Sequence, residues 1–323
     1  MLDARPFVIA VVGKTGSGKT TFTSLASGRT DLKIGHDLIT CTSKPNVVPF
    51  SFEGRPVTLI DMPWFGDSYR KPSWGHKSDR WGTKSKVDVL GELAAYFAAW
   101  YSKGMLIDAF IFLHAADTTM LSNHSEEGIG LLEKMLGESA YERVAVVSTQ
   151  WDQVTDPALS TELMTRRTLP GGVWHPLCNG GAVVLHHDNT KPSADNIVRH
   201  LVNRFSSQQT QWPLLMQQEL REHKGKVSRT SAGKELDRQY AEAVDRLEDL
   251  AEEAKLRGPT AQQLKKLQEA KERRRKLLKT VVSCVSVSTH PGHPPPNLSC
   301  VASYKLMSFF IVRWKSRRRA FRS

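Results

Sequence analysis

Residues 7–12, FVIAVV, form an unbroken apolar and mostly β-branched run. A strand buried on both faces of a parallel sheet reads this way. VTLID at 57–61, IDAFIFLH at 107–114, RVAVVS at 143–148 and AVVLH at 182–186 repeat the texture. Between them lie stretches with helical spacing. TTFTSLAS closes on Gly28, residues 88–103 carry Val89, Leu90, Leu93, Ala94, Phe97 and Trp100, and 129–136 is a third. Residues 195–205 place Ile197, Leu201 and Phe205 on one face. Five strands alternating with helices predict a three-layer α/β domain around a mostly parallel sheet, spanning 6–205.

Beyond Phe205 the pattern changes. Leu236, Tyr240, Ala243, Leu247, Leu250 and Ala254 step by four and three, a heptad seam. Gly258-Pro259 breaks it, and Thr260 with Gln263 makes a capping-box pattern that starts another helix. Residues 206–279 are therefore expected to be an α-helical arm, with helices at 234–256 and 260–279. The seam pairs either within one chain or between two. From 280 to 323 the text turns to VVSCVSVSTHPGHPPP and a basic end, which predicts a disordered basic tail.

Composition adds a boundary. The chain of 323 residues has 45 Lys+Arg against 33 Asp+Glu, a net charge of +12. Residues 1–205 hold 21 of each sign, so the whole excess lies behind Phe205. A nucleic-acid-binding α/β unit is not implied, and no specific nucleic acid is expected as partner. The four cysteines are widely spaced and form no CxxC pair, which argues against a disulfide scaffold or structural zinc. No apolar run reaches the roughly 18 residues a membrane helix needs, and the start runs straight into a strand with no room for a signal peptide. A cytoplasmic protein is the expectation.

Between the first strand and helix, Gly13-Lys14-Thr15-Gly16-Ser17-Gly18-Lys19-Thr20 fits the P-loop pattern GxxxxGK[ST]. Consecutive backbone N–H groups wrap a phosphate chain, and glycines let the backbone approach it. Lys19 should bridge the β- and γ-phosphates, Thr20 should ligate Mg²⁺, and Thr21 falls on the helix end that faces the anion. Asp61, closing VTLID beside that loop, suits water-mediated Mg²⁺ binding, although a turn aspartate reads the same way. Thr149-Gln150-Trp151-Asp152 follows the RVAVV strand. A carboxylate there can accept guanine's N1–H and exocyclic amine, which adenine cannot offer as a pair. The competing reading of Asp152 is a helix N-cap beside a core tryptophan.

The P-loop, the segment DMPWFGD and the later TQWD together resemble the septin and immunity-associated (avirulence-induced) GTPases. LGELAAYFAAWYSKGMLIDAFIFLHAADTTMLSNHSEEGIGLLEKMLG followed by VAVVSTQWD is most similar to G-domain proteins described from fungi. The resemblance covers roughly residues 6–205. It implies a Ras-like sheet that binds GTP or GDP with Mg²⁺, and often dimerisation through the nucleotide face. Thr42 best matches the threonine that completes the Mg²⁺ shell, with Thr40 second. His187, Asp188 and Asn189 are candidates for the last guanine-side loop, beside Thr149, Trp151 and Asp152. Two positions depart from the pattern. Trp64 replaces a glycine that meets the γ-phosphate, and Gln150 replaces a lysine that covers the nucleotide. No residue stands out as positioning an attacking water. Arg70, His76 and Arg80 lie in the basic segment after Gly66, either as transition-state cations or as a solvated loop.

The expected function is a GTP·Mg²⁺-dependent switch or assembly scaffold with slow hydrolysis. The alternative is a nonhydrolysing nucleotide-binding module that assembles through its arm. A homodimer through the nucleotide face or the arm is the expected partner. The tail's aromatics and basic residues suit an anionic membrane surface, nonspecific nucleic acid, or no selected role. His114, His186 and His187 show no metal-ligand spacing and read as core or loop histidines.

Overall fold

A computed structural model describes residues 5–32, 45–65, 68–70, 81–83, 85–116, 123–205, 213–253 and 259–282, with backbone alone for 68–70, 81–83, 123–127 and 253. Thr40, Thr42, His76, Arg80 and the tail from 283 onward lie outside the described residues.

The elements run β1 (Phe7–Val12), α1 (Lys19–Ser27), β2 (Asn46–Phe52), β3 (Arg55–Asp61), β4 (Ser68–Arg70), β5 (Trp81–Thr83), α2 (Lys86–Ser102), β6 (Ala109–Ala115), α3 (Asn123–Leu136), β7 (Val144–Thr149), α4 (Pro157–Thr168), α5 (His175–Asn179), β8 (Val183–His186), α6 (Lys191–Phe205), α7 (Leu215–Glu222), α8 (Ser231–Glu253) and α9 (Ala261–Lys279). Six strands make one sheet in the order β2-β3-β1-β6-β7-β8. β2 runs antiparallel to β3 and the other neighbours are parallel. The three-layer α/β architecture expected from the alternating pattern is therefore present.

The pleat of β1 shows why its sequence has no polar position. Phe7, Ile9 and Val11 face α1 and α6, where they meet Phe22, Ala194, Ile197 and Leu201. Val8, Ala10 and Val12 face the opposite layer with α2 and α3. Successive side chains point to opposite faces, so a central strand must be apolar throughout. β2 is an edge strand absent from the sequence expectation. Pro49 sits inside it, opposite Thr58, and a proline is tolerated there because one side of the strand has no ladder to satisfy.

The arm packs onto α2 and α3. Leu214, Met216, Leu220, Val227, Leu236, Tyr240 and Leu277 belong to the same apolar cluster as Leu90, Phe97 and Trp100. α8 and α9 pair within the chain as a hairpin, clipped by Arg274 Nε donating to Asp237 Oδ1 at 2.8 Å and by a Lys271–Glu248 ion pair at 2.5 Å. The heptad seam is buried at Leu236 and Tyr240 but open at Leu250, which is 47% exposed. The hairpin ends at Lys279, and residues 280–282 continue along the 225–227 turn. Val227 N–H donates to Thr280 O at 3.2 Å and Val282 N–H to Gly225 O at 2.9 Å, and Val282 is buried. No helix among the described residues is long and apolar enough to cross a membrane.

Candidate functional site

β1 ends at Val12 and the chain turns at once. A Cβ on Gly13 would stand 2.3 Å from the Leu113 carbonyl oxygen of β6, so the turn accepts only glycine. Gly16 and Gly18 have φ of 83° and 88°, backbone that side-chain-bearing residues avoid. Ser17 N–H closes the turn on Lys14 O at 3.0 Å. α1 starts at Lys19 behind Gly18 with no side-chain cap, which leaves the positive end of its dipole to the loop. Lys19 is 6% exposed, and its Nζ donates to Gly13 O at 2.6 Å and Lys14 O at 3.2 Å. The ammonium is thus folded across the loop. Ser17 Oγ is buried with no hydrogen-bond partner among the described residues.

Thr20, in the first turn of α1, donates from Oγ1 to Asp61 Oδ2 at 2.9 Å. Asp61 ends β3 opposite Val11 of β1, nearly buried. The parallel register therefore brings a hydroxyl and a carboxylate together beside the loop, although they lie 41 residues apart. Both are hard oxygen donors of the kind Mg²⁺ takes alongside phosphate and water. The donor set fits that ion. Among the described residues no group of three His, Cys, Asp or Glu side chains is placed to hold a metal.

On the other side of the loop, Thr149 ends β7. Its Oγ1 donates to Ser17 O at 2.9 Å, tying β7 to the loop. Gln150, at φ 58°, hydrogen-bonds Gly16 O through Nε2. Thr149 and Gln150 thus hold the loop itself. Trp151 is half-buried, its Nε1 donating to Ser148 Oγ at 3.0 Å and its ring 5.0 Å from that of His186. Asp152 is exposed on the short 3-10 turn Trp151–Gln153. It does not cap α4: Asp156 does, accepting from Leu159 N–H at 2.9 Å. β8 ends beside β7, so the next loop lies near this turn. In it Asn189 is exposed, at φ 62°. The His187 ring turns inward, edge-on to Phe22, with Nδ1 3.0 Å from Ser193 Oγ. Burial lowers its pKa. Asp188 accepts from Thr190 N–H at 3.0 Å and shapes the turn.

No family model and no curated protein matches the chain. Among solved structures, a dimerisation-deficient variant of Toc33 from Arabidopsis thaliana is 14% identical, with a TM-score of 0.45 over 64% of this chain and 87% of that one. Toc33 in complex with Mg²⁺ and GMPPNP is 13% identical, with a TM-score of 0.45 over 64% and 88%. Translation elongation factor SelB from Methanococcus maripaludis, in complex with the GTP analogue GppNHp, is 15% identical, with a TM-score of 0.39 over 64% of this chain and 35% of that one. Likenesses this distant say nothing of ligand or partner.

Two features at the site's edge were not legible beforehand. Trp64, three residues beyond Asp61, is buried among Phe65, Phe112 and α3. Behind the loop, His114 of β6 has Nε2 2.7 Å from Arg167 Nη1 of α4, and Trp174 packs edge-on to its ring at 5.1 Å. His114 stands 53 positions before Arg167, too far for any local pattern to join them. Burial, then the charges of Arg167 and Lys14, push the His114 pKa down to about 3. A histidine with a depressed folded-state pKa contributes stability above its unfolded value of about 6.5, and that contribution fades as pH falls from there toward 3. We expect stability to drop over that window and the slope to flatten in His114→Gln, read from urea midpoints against pH.

Proposed function

We propose that the protein binds a guanine nucleotide with Mg²⁺, as a GTP-dependent switch or assembly scaffold with slow hydrolysis. The observation that carries this reading is the Thr20–Asp61 hydrogen bond at 2.9 Å beside a loop in which Gly13, Gly16 and Gly18 take positive φ. Lys19 and the backbone amides of the loop and of α1 would hold the β- and γ-phosphates. Thr20 would ligate Mg²⁺, and Asp61 would bind it through water. Thr42, outside the described residues, remains the candidate to complete the shell. The ion would draw charge off the phosphate oxygens. Asp152, exposed and not spent on a helix cap, is the candidate reader of the guanine edge, with Trp151 and Asn189 beside it.

For two of the guanine-side candidates we propose supporting roles. Thr149 contributes by anchoring the loop, and His187 by supporting its turn from inside. Trp64, standing where the resemblance places a glycine at the γ-phosphate, supports slow turnover. The second reading, a nonhydrolysing nucleotide-binding module that assembles through its helices, is supported by the burial of Trp64. A homodimer and peripheral contact of the tail with a membrane remain part of the proposal.

The test is phosphate release from GTP·Mg²⁺ by the full chain, run against Lys19→Ala, with displacement of bound GDP by GTP or ATP. The switch reading requires release above that of the variant. Equal release in both sinks hydrolysis and leaves the second reading. If Asp152 reads the base, ATP should displace GDP at least about tenfold less well than GTP, because adenine leaves the carboxylate without its pair of donors and a hydrogen bond to a charged group contributes about 1.5–3 kcal/mol. ATP displacing as well as GTP removes that role.

A further inference from the structure

We propose that His187 is the positioning residue of the loop between β8 and α6, and that gaining a proton releases it, so that the loop opens in mildly acidic solution. That this loop holds a guanine base rests on the reading above; its release by a proton does not.

The loop is built on the His187 ring. His187 N–H donates to Ser148 O at 2.9 Å, which ties the loop to β7. The imidazole turns away from solvent, 3% exposed, and meets Phe22 of α1 edge-on with ring centroids 5.2 Å apart. Its Nδ1 lies 3.0 Å from Ser193 Oγ in the first turn of α6. That oxygen also accepts from Asp188 N–H at 3.3 Å. Asp188 in turn accepts from Thr190 N–H at 3.0 Å and from Thr190 Oγ1 at 2.6 Å, and Ser193 N–H donates to Thr190 Oγ1 at 3.3 Å. Asn189 lies inside this turn at φ 62°. Ring and hydroxyl thus hold the turn from beneath.

Only the neutral ring suits the place. Nε2 is buried with no hydrogen-bond partner among the described residues. A neutral imidazole has one N–H and one lone pair, so Nδ1 and Ser193 Oγ satisfy each other whichever of them donates. A second proton puts an N–H on both nitrogens. Nδ1 must then donate to Ser193 Oγ, and Nε2–H and the new charge stay buried near Phe22 without an acceptor. That is strongly disfavoured, and opening the loop gives both to water. Among the described residues the ionisable groups acting on the ring are Asp188 and His186 of its own segment; α1 meets it with Phe22 and α6 with Ser193. Burial holds the His187 pKa below its ordinary value, against the pull of Asp188, and His186 adds to the lowering. The closed loop is therefore favoured above about pH 6.5 and loosens as pH falls from there toward the lowered value.

The test follows amide exchange in the full chain without ligand, in peptides covering 186–193, corrected for the intrinsic effect of pH on exchange. One proton taken up on opening shifts the equilibrium by up to about tenfold per pH unit below about 6.5. Protection should therefore fall about fivefold or more between about pH 7.5 and 5.5. His187→Gln keeps a hydrogen-bonding group toward Ser193 but takes up no proton, and His187→Phe fills the place of the ring. In whichever of them folds, the fall should stay below about twofold. His114→Gln should keep the wild-type fall. GDP·Mg²⁺ should dissociate about fivefold faster over the same range in the wild type but not in His187→Gln, in which the phosphates titrate alike. A flat wild-type profile, an equal fall in the His187 variants, or a fall that disappears in His114→Gln overturns the release. A GDP dissociation profile shared by wild type and His187→Gln overturns the hold of this loop on the base. Failure of GDP to bind removes the nucleotide reading and leaves exchange to decide the release alone.

Discussion

Lys19→Ala will weaken GDP·Mg²⁺ binding about a hundredfold, measured by calorimetry on the full chain. The ammonium is buried inside the loop, bonded to the carbonyls of Gly13 and Lys14. Those two bonds hold it across the loop, where we propose that the phosphate oxygens bind. A charge-assisted hydrogen bond to phosphate in a screened site contributes about 1.5–3 kcal/mol, and each 1.4 kcal/mol is about tenfold in affinity. The fold should survive, because the carbonyls released by the substitution line the loop and can turn to water. A loss below about threefold would mean that the loop holds no phosphate where we place it.

Trp174→Ala will cost about 3–5 kcal/mol of stability, read as a lower urea midpoint at unchanged slope. The ring is fully buried. One face lies under the Arg167 guanidinium at 5.3 Å and one edge meets His114. Removing it leaves a cavity and strips a nearly buried cation of the aromatic face it rests on. Stabilities of domains run only to about 5–15 kcal/mol, so this single change removes a large share. Leu169→Ala, close by in sequence but 52% exposed, should move stability by no more than about 0.5 kcal/mol.

How much of this was legible beforehand depended on whether the signal was local. β1, β3, β6 and β7 read correctly because central strands need apolar residues on both faces. The loop Gly13–Thr20 carries its constraint in consecutive residues, and the Thr20–Asp61 pair follows once β1 and β3 are neighbours. β2 was missed because Pro49 breaks its pattern, and only its place at the sheet edge excuses the proline. α4 was missed because few of its residues are buried, although Asp156-Pro157 at its start was a readable cap. Trp64 was legible as a departure but not as a core residue. Its destination depends on Gly128, 64 positions later, and nothing at either position announces the other. The inward turn of His187 was hidden for the same reason, since Phe22 and Ser193 come from separate helices.

The Thr280 methyl lies against the α2 backbone at Gly91, where a Cβ would come within 3.3 Å of it, and Gln217 reaches from α7 to the Phe97 carbonyl at 3.5 Å. The last described turn of the chain and the α/β half are therefore packed as one unit. A fragment cut at Phe205 would present the outer flank of α2 and α3 to solvent as a raw apolar surface, prone to self-association. The piece that carries the phosphate loop would then be judged insoluble or inactive for want of its cover, while its own chemistry stayed intact.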